Sequence, residues 1–174
     1  LGDTKKALMI VDLLNDFVKE DAPLAVPGIR SIISPIKREI EKARSIGYPI
    51  IYLCDCHEEE DMEFKLFPPH ARIGTSGANV IDELRPEGND ILVRKSSFSG
   101  FFDTVLDDTL KKLSIEKTII TGTVTNVCVL YTAVDAVMRG YMVDIIEDAV
   151  IGLNKKDHFY ALGQMENLFH IKIL

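Results

Sequence analysis

The sequence predicts an α/β domain in three layers, a six-stranded and mostly parallel sheet with helices on both faces. Two observations carry that prediction. Short apolar runs alternate with longer stretches of helical period. The apolar runs are also nearly continuous, as strands buried on both faces require. At 174 residues the chain is one domain (1–174), large enough to bury a core without disulfides.

The elements follow in order. "ALMIVDL" (7–13) reads as the first strand. In "GIRSIISPIKREIEKARSIG", Ile29, Ile32, Ile33, Ile36, Ile40 and Ala43 share one helical face, Pro35 marks a kink or the true helix start, and Gly47 closes it. "PIIYLCD" (49–55) and "DILVRK" (90–95) are strands two and three, separated by a long irregular stretch, 56–89, of the kind that carries function. A helix over 102–114 precedes "KTIITG" (117–122), the fourth strand. A helix over 126–140, ended by Arg139 and Gly140, leads to "MVDIIED" (142–148). A helix near 155–169 and "IKIL" (171–174) complete the series.

Charge and cysteine count exclude some classes. Twenty Lys and Arg against 27 Asp and Glu leave a net charge of −7, which argues against a nucleic-acid binder. Three cysteines, two of them (Cys54, Cys56) too near each other to bridge, fit a reducing cytoplasm. No signal peptide or membrane span is read. The chain opens on Leu1 rather than Met, which reads as a trimmed or partial start, and residues 1–4 carry no weight.

In open parallel sheets ligands sit beyond the carboxyl ends of the strands. There the sequence places Asp12, Asp55, Lys95 and, after strand four, Cys128, with Glu147 and Asp148 ending strand five. Cys128, in "TGTVTNVCVLY", reads either as a small core residue or as a nucleophile in the first turn of a helix. In the second case Thr125 or Asn126 caps the helix, and free N–H groups with the helix dipole favour a thiolate. Asp12 needs a partner in its apolar strand, Lys95 needs one in its own, and together they would tune the thiol. Asp16 suits a structural turn role. Asp55 and His57 are two apart and point the same way if the strand continues, and His70 returns after "FPP". With Glu63 they would suit a divalent transition metal, the alternative being a solvated acidic loop that includes "EEED" (58–61).

From Ala7 to Ile173 these residues resemble the nicotinamidase branch of the isochorismatase-like cysteine hydrolases, which have a Rossmann-like fold. "IVDLLNDF" is similar to the family's first strand, and Gly122, Thr125, Cys128, Val129, Thr132 and Ala133 match its "G-x-x-T-x-x-C-V-x-x-T-A" segment. The resemblance implies a triad of Asp12, Lys95 and Cys128, an oxyanion hole from the N–H groups of Val124 and Cys128, and a cis peptide at Thr123–Val124. It also implies Asp55, His57, His70 and Glu63 as metal ligands, for zinc or else iron or manganese, with Phe17 and Phe67 as aromatic walls. Phe67 departs from the family's more usual Trp. The implied reaction is hydrolysis of nicotinamide, a small-molecule amide, through a thioester, by a cytoplasmic homo-oligomer, dimeric or higher. Relatives acting on an N-carbamoyl or other small amide generally lack the two-His loop. A non-catalytic binding or assembly module is the remaining reading, and the intact triad argues against it.

Overall fold

A computed structural model describes residues 4–174, so the first three residues of the expected domain lie outside it. Strand β1 (Lys6–Val11) leads through a short helix, α1 (Asn15–Val18), to a 3-10 turn at Ile29–Ile32 and then to α2 (Ile33–Ile46). Strands β2 (Ile50–Asp55) and β3 (Ile91–Lys95) flank the irregular segment, which holds only three short 3-10 turns. Then follow α3 (Leu106–Lys112), β4 (Lys117–Thr123), α4 (Leu130–Met138), β5 (Met142–Ile151), α5 (Lys155–Phe169) and β6 (Lys172–Ile173). The strands form one parallel sheet in the order β3-β2-β1-β4-β5-β6, the six-stranded α/β architecture expected.

The alternation of side chains along β1 builds the layers. Leu8 and Ile10 pack with Ile33, Ile36, Ile40 and Ala43 of α2 on one face. Ala7, Met9 and Val11 pack with Leu106 and Leu110 of α3, Ala133 and Ala136 of α4 and Leu162 and Met165 of α5 on the other. The buried stripe of α2 is the one its periodicity marked, and Pro35 lies in its first turn, where no backbone hydrogen bond is lost. Helix α3 is shorter than expected, beginning at Leu106 because 101–105 form turns.

Strand β5 departs most from the sequence reading. Ile120 pairs with Ile145 and Gly122 with Val150, so β4 advances two residues while β5 advances five. The three extra residues bulge outward at Glu147 and Asp148. These two acids therefore do not end the strand. They are exposed, and Asp148 takes both oxygens to Arg38 at 2.9 and 3.0 Å. Among the described residues no helix is long and apolar enough to cross a membrane.

Candidate active site

Strand β1 stops one residue before its acid. Val11 is the last strand residue, and Asp12 turns out of it with φ 54°, its N–H donating to Leu53 at 2.9 Å. Beside it, β4 approaches so closely that a Cβ on Gly122 would lie 2.1 Å from the Val11 carbonyl oxygen. Only glycine fits that crossing, and its φ of 114° is one that L residues rarely adopt. The tight contact brings the end of β1 against the segment that carries Cys128.

Lys95 ends β3, and its side chain is fully buried. Its ammonium lies 2.8 Å from Asp12 Oδ2 and 3.5 Å from Cys128 Sγ, donates to the Ser97 carbonyl at 3.1 Å, and forms a short contact with Asp55 Oδ1. Asp12 Oδ1 accepts from the Asp55 N–H at 2.8 Å. The structure thus brings Asp12, Lys95 and Cys128 together from three elements and adds Asp55 to the group.

One buried cation faces two carboxylates, and the protons divide accordingly. Burial and the Asp55 charge push Asp12 up to about 6, against the pull of Lys95. Burial also raises Asp55, but Lys95 and then His57 and His70 outweigh it and hold that carboxyl well below the usual range. For Lys95, the two acids and the thiol overcome desolvation and raise its affinity for the proton.

Cys128 corrects the sequence expectation. Residues Thr125–Val129 form a π-type turn that runs into α4, so Cys128 is not in the first turn of an α-helix. Neither Thr125 nor Asn126 caps it: Val124 holds that place, and no side chain bonds there. Burial raises the thiol well above its ordinary range, with Asp12 and Asp55 adding to the effect and only Lys95 opposing it. The resting group is a thiol beside a carboxylate, rather than a preformed thiolate. The Thr123–Val124 peptide is cis. The Val124 carbonyl accepts from the N–H groups of Val127 (2.9 Å) and Val129 (3.2 Å), which flank that of Cys128.

A second cluster shares Asp55. Ligand atoms of Asp55, His57, Glu63 and His70 all lie within 4.8 Å of one another. His57 Nε2 and His70 Nε2 stand 3.8 and 3.7 Å from Asp55 Oδ2, and His70 Nε2 lies 3.7 Å from Glu63 Oε1. Both Nε2 atoms are buried without a hydrogen-bond partner, a costly arrangement unless something fills the space between them. Of the other ring nitrogens, His70 Nδ1 bonds the Pro68 carbonyl at 2.8 Å, whereas His57 Nδ1 has no hydrogen bond and stands 3.1 Å from Asp61 Oδ2. Two imidazoles, His70 oriented from behind by Pro68, with two carboxylates, are the donor set that fits a divalent transition metal.

The strand does not continue through His57, which keeps its direction through a single bridge to Arg72. His70 is held from the other side, where Asp16 Oδ2 accepts from the Ala71 N–H at 2.8 Å. This contact needs Gly77, since a Cβ there would lie 2.1 Å from the same oxygen. Asp16 therefore has the structural role expected of it. Asp61 was missed because it closes the "EEED" run, and that run reads as solvated; its place four residues after His57 was the available signal.

Cys128, Asp12, Asp55, Glu63 and His70 border one cavity of about 60 Å³, several times the ~10–15 Å³ that admits a water. Phe17 and Phe67 line it. Phe98, Leu24, Val26, Val127 and Leu153 also line it and were not foreseen. Phe98 packs edge-on against Phe67 and stacks on Tyr131.

Comparison with known proteins agrees with this geometry. Residues 6–173 match the isochorismatase domain. A pyrazinamidase/nicotinamidase of Streptococcus mutans UA159 superposes with a TM-score of 0.92 at 32% identity, covering 98% of this chain and 100% of that one. Pyrococcus horikoshii pyrazinamidase, solved in complex with zinc, gives 0.90 at 31% identity and 98% of both chains. N-carbamoylsarcosine amidase of Thermoplasma acidophilum gives 0.90 at 31% identity, over 98% of this chain and 95% of that one. With matching fold, matching domain and this arrangement of side chains, the chain belongs to the isochorismatase family of hydrolases.

Proposed function

We propose that this hydrolase is a cysteine amidohydrolase that converts nicotinamide and water to nicotinate and ammonia. The observation that carries the reading is the sharing of one small cavity by the Cys128 thiol and the Asp55, Glu63 and His70 donors. A nucleophile and a ring-nitrogen anchor bordering one small cavity walled by Phe17, Phe67 and Phe98 suit a pyridine carboxamide.

In this mechanism Asp12 takes the thiol proton as Cys128 sulfur attacks the carboxamide carbon, forming a C–S bond. The N–H groups of Val124 and Cys128 receive the developing oxyanion. Asp12 then gives its proton to the amide nitrogen, the C–N bond breaks, and ammonia leaves behind a thioester. Asp12 next removes a proton from water, whose oxygen attacks the thioester. Carbon–sulfur cleavage releases nicotinic acid, which ionises to nicotinate in water, and Asp12 returns its proton to the sulfur to restore the thiol. Lys95 holds Asp12 and Asp55 and balances charge at each step. Asp55, His57, Glu63 and His70 would hold the metal, with zinc favoured by the two-imidazole, two-carboxylate set and by the likeness to the zinc-bound pyrazinamidase. When bound, that ion supplies a Lewis acid for the pyridine nitrogen and so orients the ring.

A second reading, an N-carbamoyl amine as substrate, draws support from the likeness to N-carbamoylsarcosine amidase. The electrostatics of the cavity oppose it for any substrate bearing a carboxylate. Asp12, Asp55 and Glu63 all face the space, and Lys95 is already committed to two of them. The test is ammonia release from nicotinamide, pyrazinamide and N-carbamoyl amines, with metal analysis of the same preparation. Nicotinamide should be turned over and Cys128→Ala should abolish it. Persistent ammonia release in that variant would sink the mechanism, and full activity of metal-free protein on a carbamoyl amine alone would install the second reading.

A further inference from the structure

We propose that His158, on α5, is a positioning residue for the Cys128 turn, acting through a hydrogen bond to Thr125. The inference rests on Cys128 being the nucleophile and adds a contact from the opposite side of the turn. Thr125 is fully buried, opens the π-type turn, and lies between the cis Thr123–Val124 peptide and Cys128. Its hydroxyl has no capping role in the turn; it meets His158 Nδ1 at 2.9 Å. With the ring neutral and protonated on Nε2, Nδ1 accepts the hydroxyl proton. Burial pulls His158 below the ordinary His range against the nearby Glu147 charge, which maintains that neutral form.

The backbone around this bond is built to let α5 come close. A Cβ on Gly152 would lie 3.0 Å from His158 Cβ and 3.3 Å from Asn126 Oδ1, tighter than most real contacts. The start of α5 is fixed as well, since Asn154 Oδ1 accepts from the Asp157 N–H at 2.9 Å and its Nδ2 donates to Asp157 Oδ2 at 2.7 Å. On the other flank of the cis peptide, the Thr123 hydroxyl donates to the Ile151 carbonyl at 3.2 Å. The end of β5 and the first turn of α5 therefore grip the segment at Thr123 and Thr125, either side of Val124, which lines the cavity.

His158→Leu removes the bond, and His158→Asn places an acceptor oxygen near the position of Nδ1. Loss of one neutral hydrogen bond expressed in the transition state gives roughly a 2- to 10-fold fall in kcat, with KM for nicotinamide within about 2-fold. The Asn variant should recover most of the loss. The rate of Cys128 alkylation by iodoacetamide, followed at that site by peptide mass spectrometry, should fall and recover in parallel. This readout stands even if the natural substrate is another amide. Thr125→Val cuts the same bond from its other end, so Thr125→Val with His158→Leu should cost no more than the worse single change. Unchanged kcat and alkylation in His158→Leu, an Asn variant as impaired as Leu, or fully additive losses would each overturn the proposal. If His158→Leu does not fold, Thr125→Val against Thr125→Ser gives the same comparison.

Discussion

Lys95→Met replaces the buried ammonium with a side chain of similar length and leaves Asp12 and Asp55 facing each other without a cation. Its Nζ touches both acids and the thiol and is fully buried, so no solvent takes its place. Removing one partner of a buried ion pair costs about 3–5 kcal/mol, and here two carboxylates are stranded, which argues for the upper end. At ~2–4 °C per kcal/mol for a chain of this size, the midpoint of melting should drop by roughly 10–20 °C at neutral pH. The pH dependence has a definite sign. Asp12 already stands near 6 with the lysine present, and losing that charge moves it higher. A carboxyl raised in the folded state contributes stability that is full below its unfolded value of ~3.9 and is lost as pH rises through the folded one. The variant should therefore be more stable, relative to wild type, at pH 5 than at pH 8. Urea melts of both proteins at the two pH values, with chelator present, measure this. A variant as stable as wild type at pH 8, with no gain on acidification, would refute the account of the buried charges.

Further outcomes follow from the same geometry. The kcat/KM profile should fall on the acid side with a midpoint near 6, because protonated Asp12 cannot accept the thiol proton; a flat profile between pH 5 and 7.5 would remove Asp12 as the base. Chelation, or His57→Ala with loss of bound zinc by elemental analysis, should raise KM for nicotinamide far more than for benzamide, which lacks the ring nitrogen. Equal effects on both amides would count against an anchoring ion. Gly77→Ala drives a methyl into Asp16 Oδ2, frees the Ala71 N–H and loosens His70, so zinc affinity should weaken about 10- to 100-fold while Cys128 alkylation stays within 2-fold. Unaltered zinc affinity in a competitive titration would show that Asp16 does not hold the site.

Much of this arrangement was legible because polar groups inside apolar strands announce themselves. Asp12 and Lys95 each interrupt a run that should be wholly hydrophobic, and each needs a charged neighbour that topology then supplies. The irregular segment from Cys56 to Asn89 was visible by its length alone. What escaped has a common physical cause: it depends on where distant backbone goes. The positive φ of Asp12, the three-residue bulge of β5 and the π-type turn at Thr125 leave no periodic trace. Phe98, Leu24 and Leu153 come to the cavity from three separate loops, and nothing in their local sequence tells them from core or surface residues. The thiolate expectation failed for a related reason. A helix start can be read from spacing, but the degree of burial that raises the thiol cannot.

Lys95 is the last residue of β3, and β3 is an edge strand, five residues long and paired on one side only. Its pairing ends at the Asp55–Lys95 register, so the ammonium depends on the end of an edge strand, where the sheet is open to fraying. Amide exchange there should report opening free energies well below those of β1 and β4, the strands at the centre. Enzymatic activity would then vanish in denaturant while the central foldon is still closed, and the rate of turnover would track the local opening of one sheet edge ahead of global unfolding.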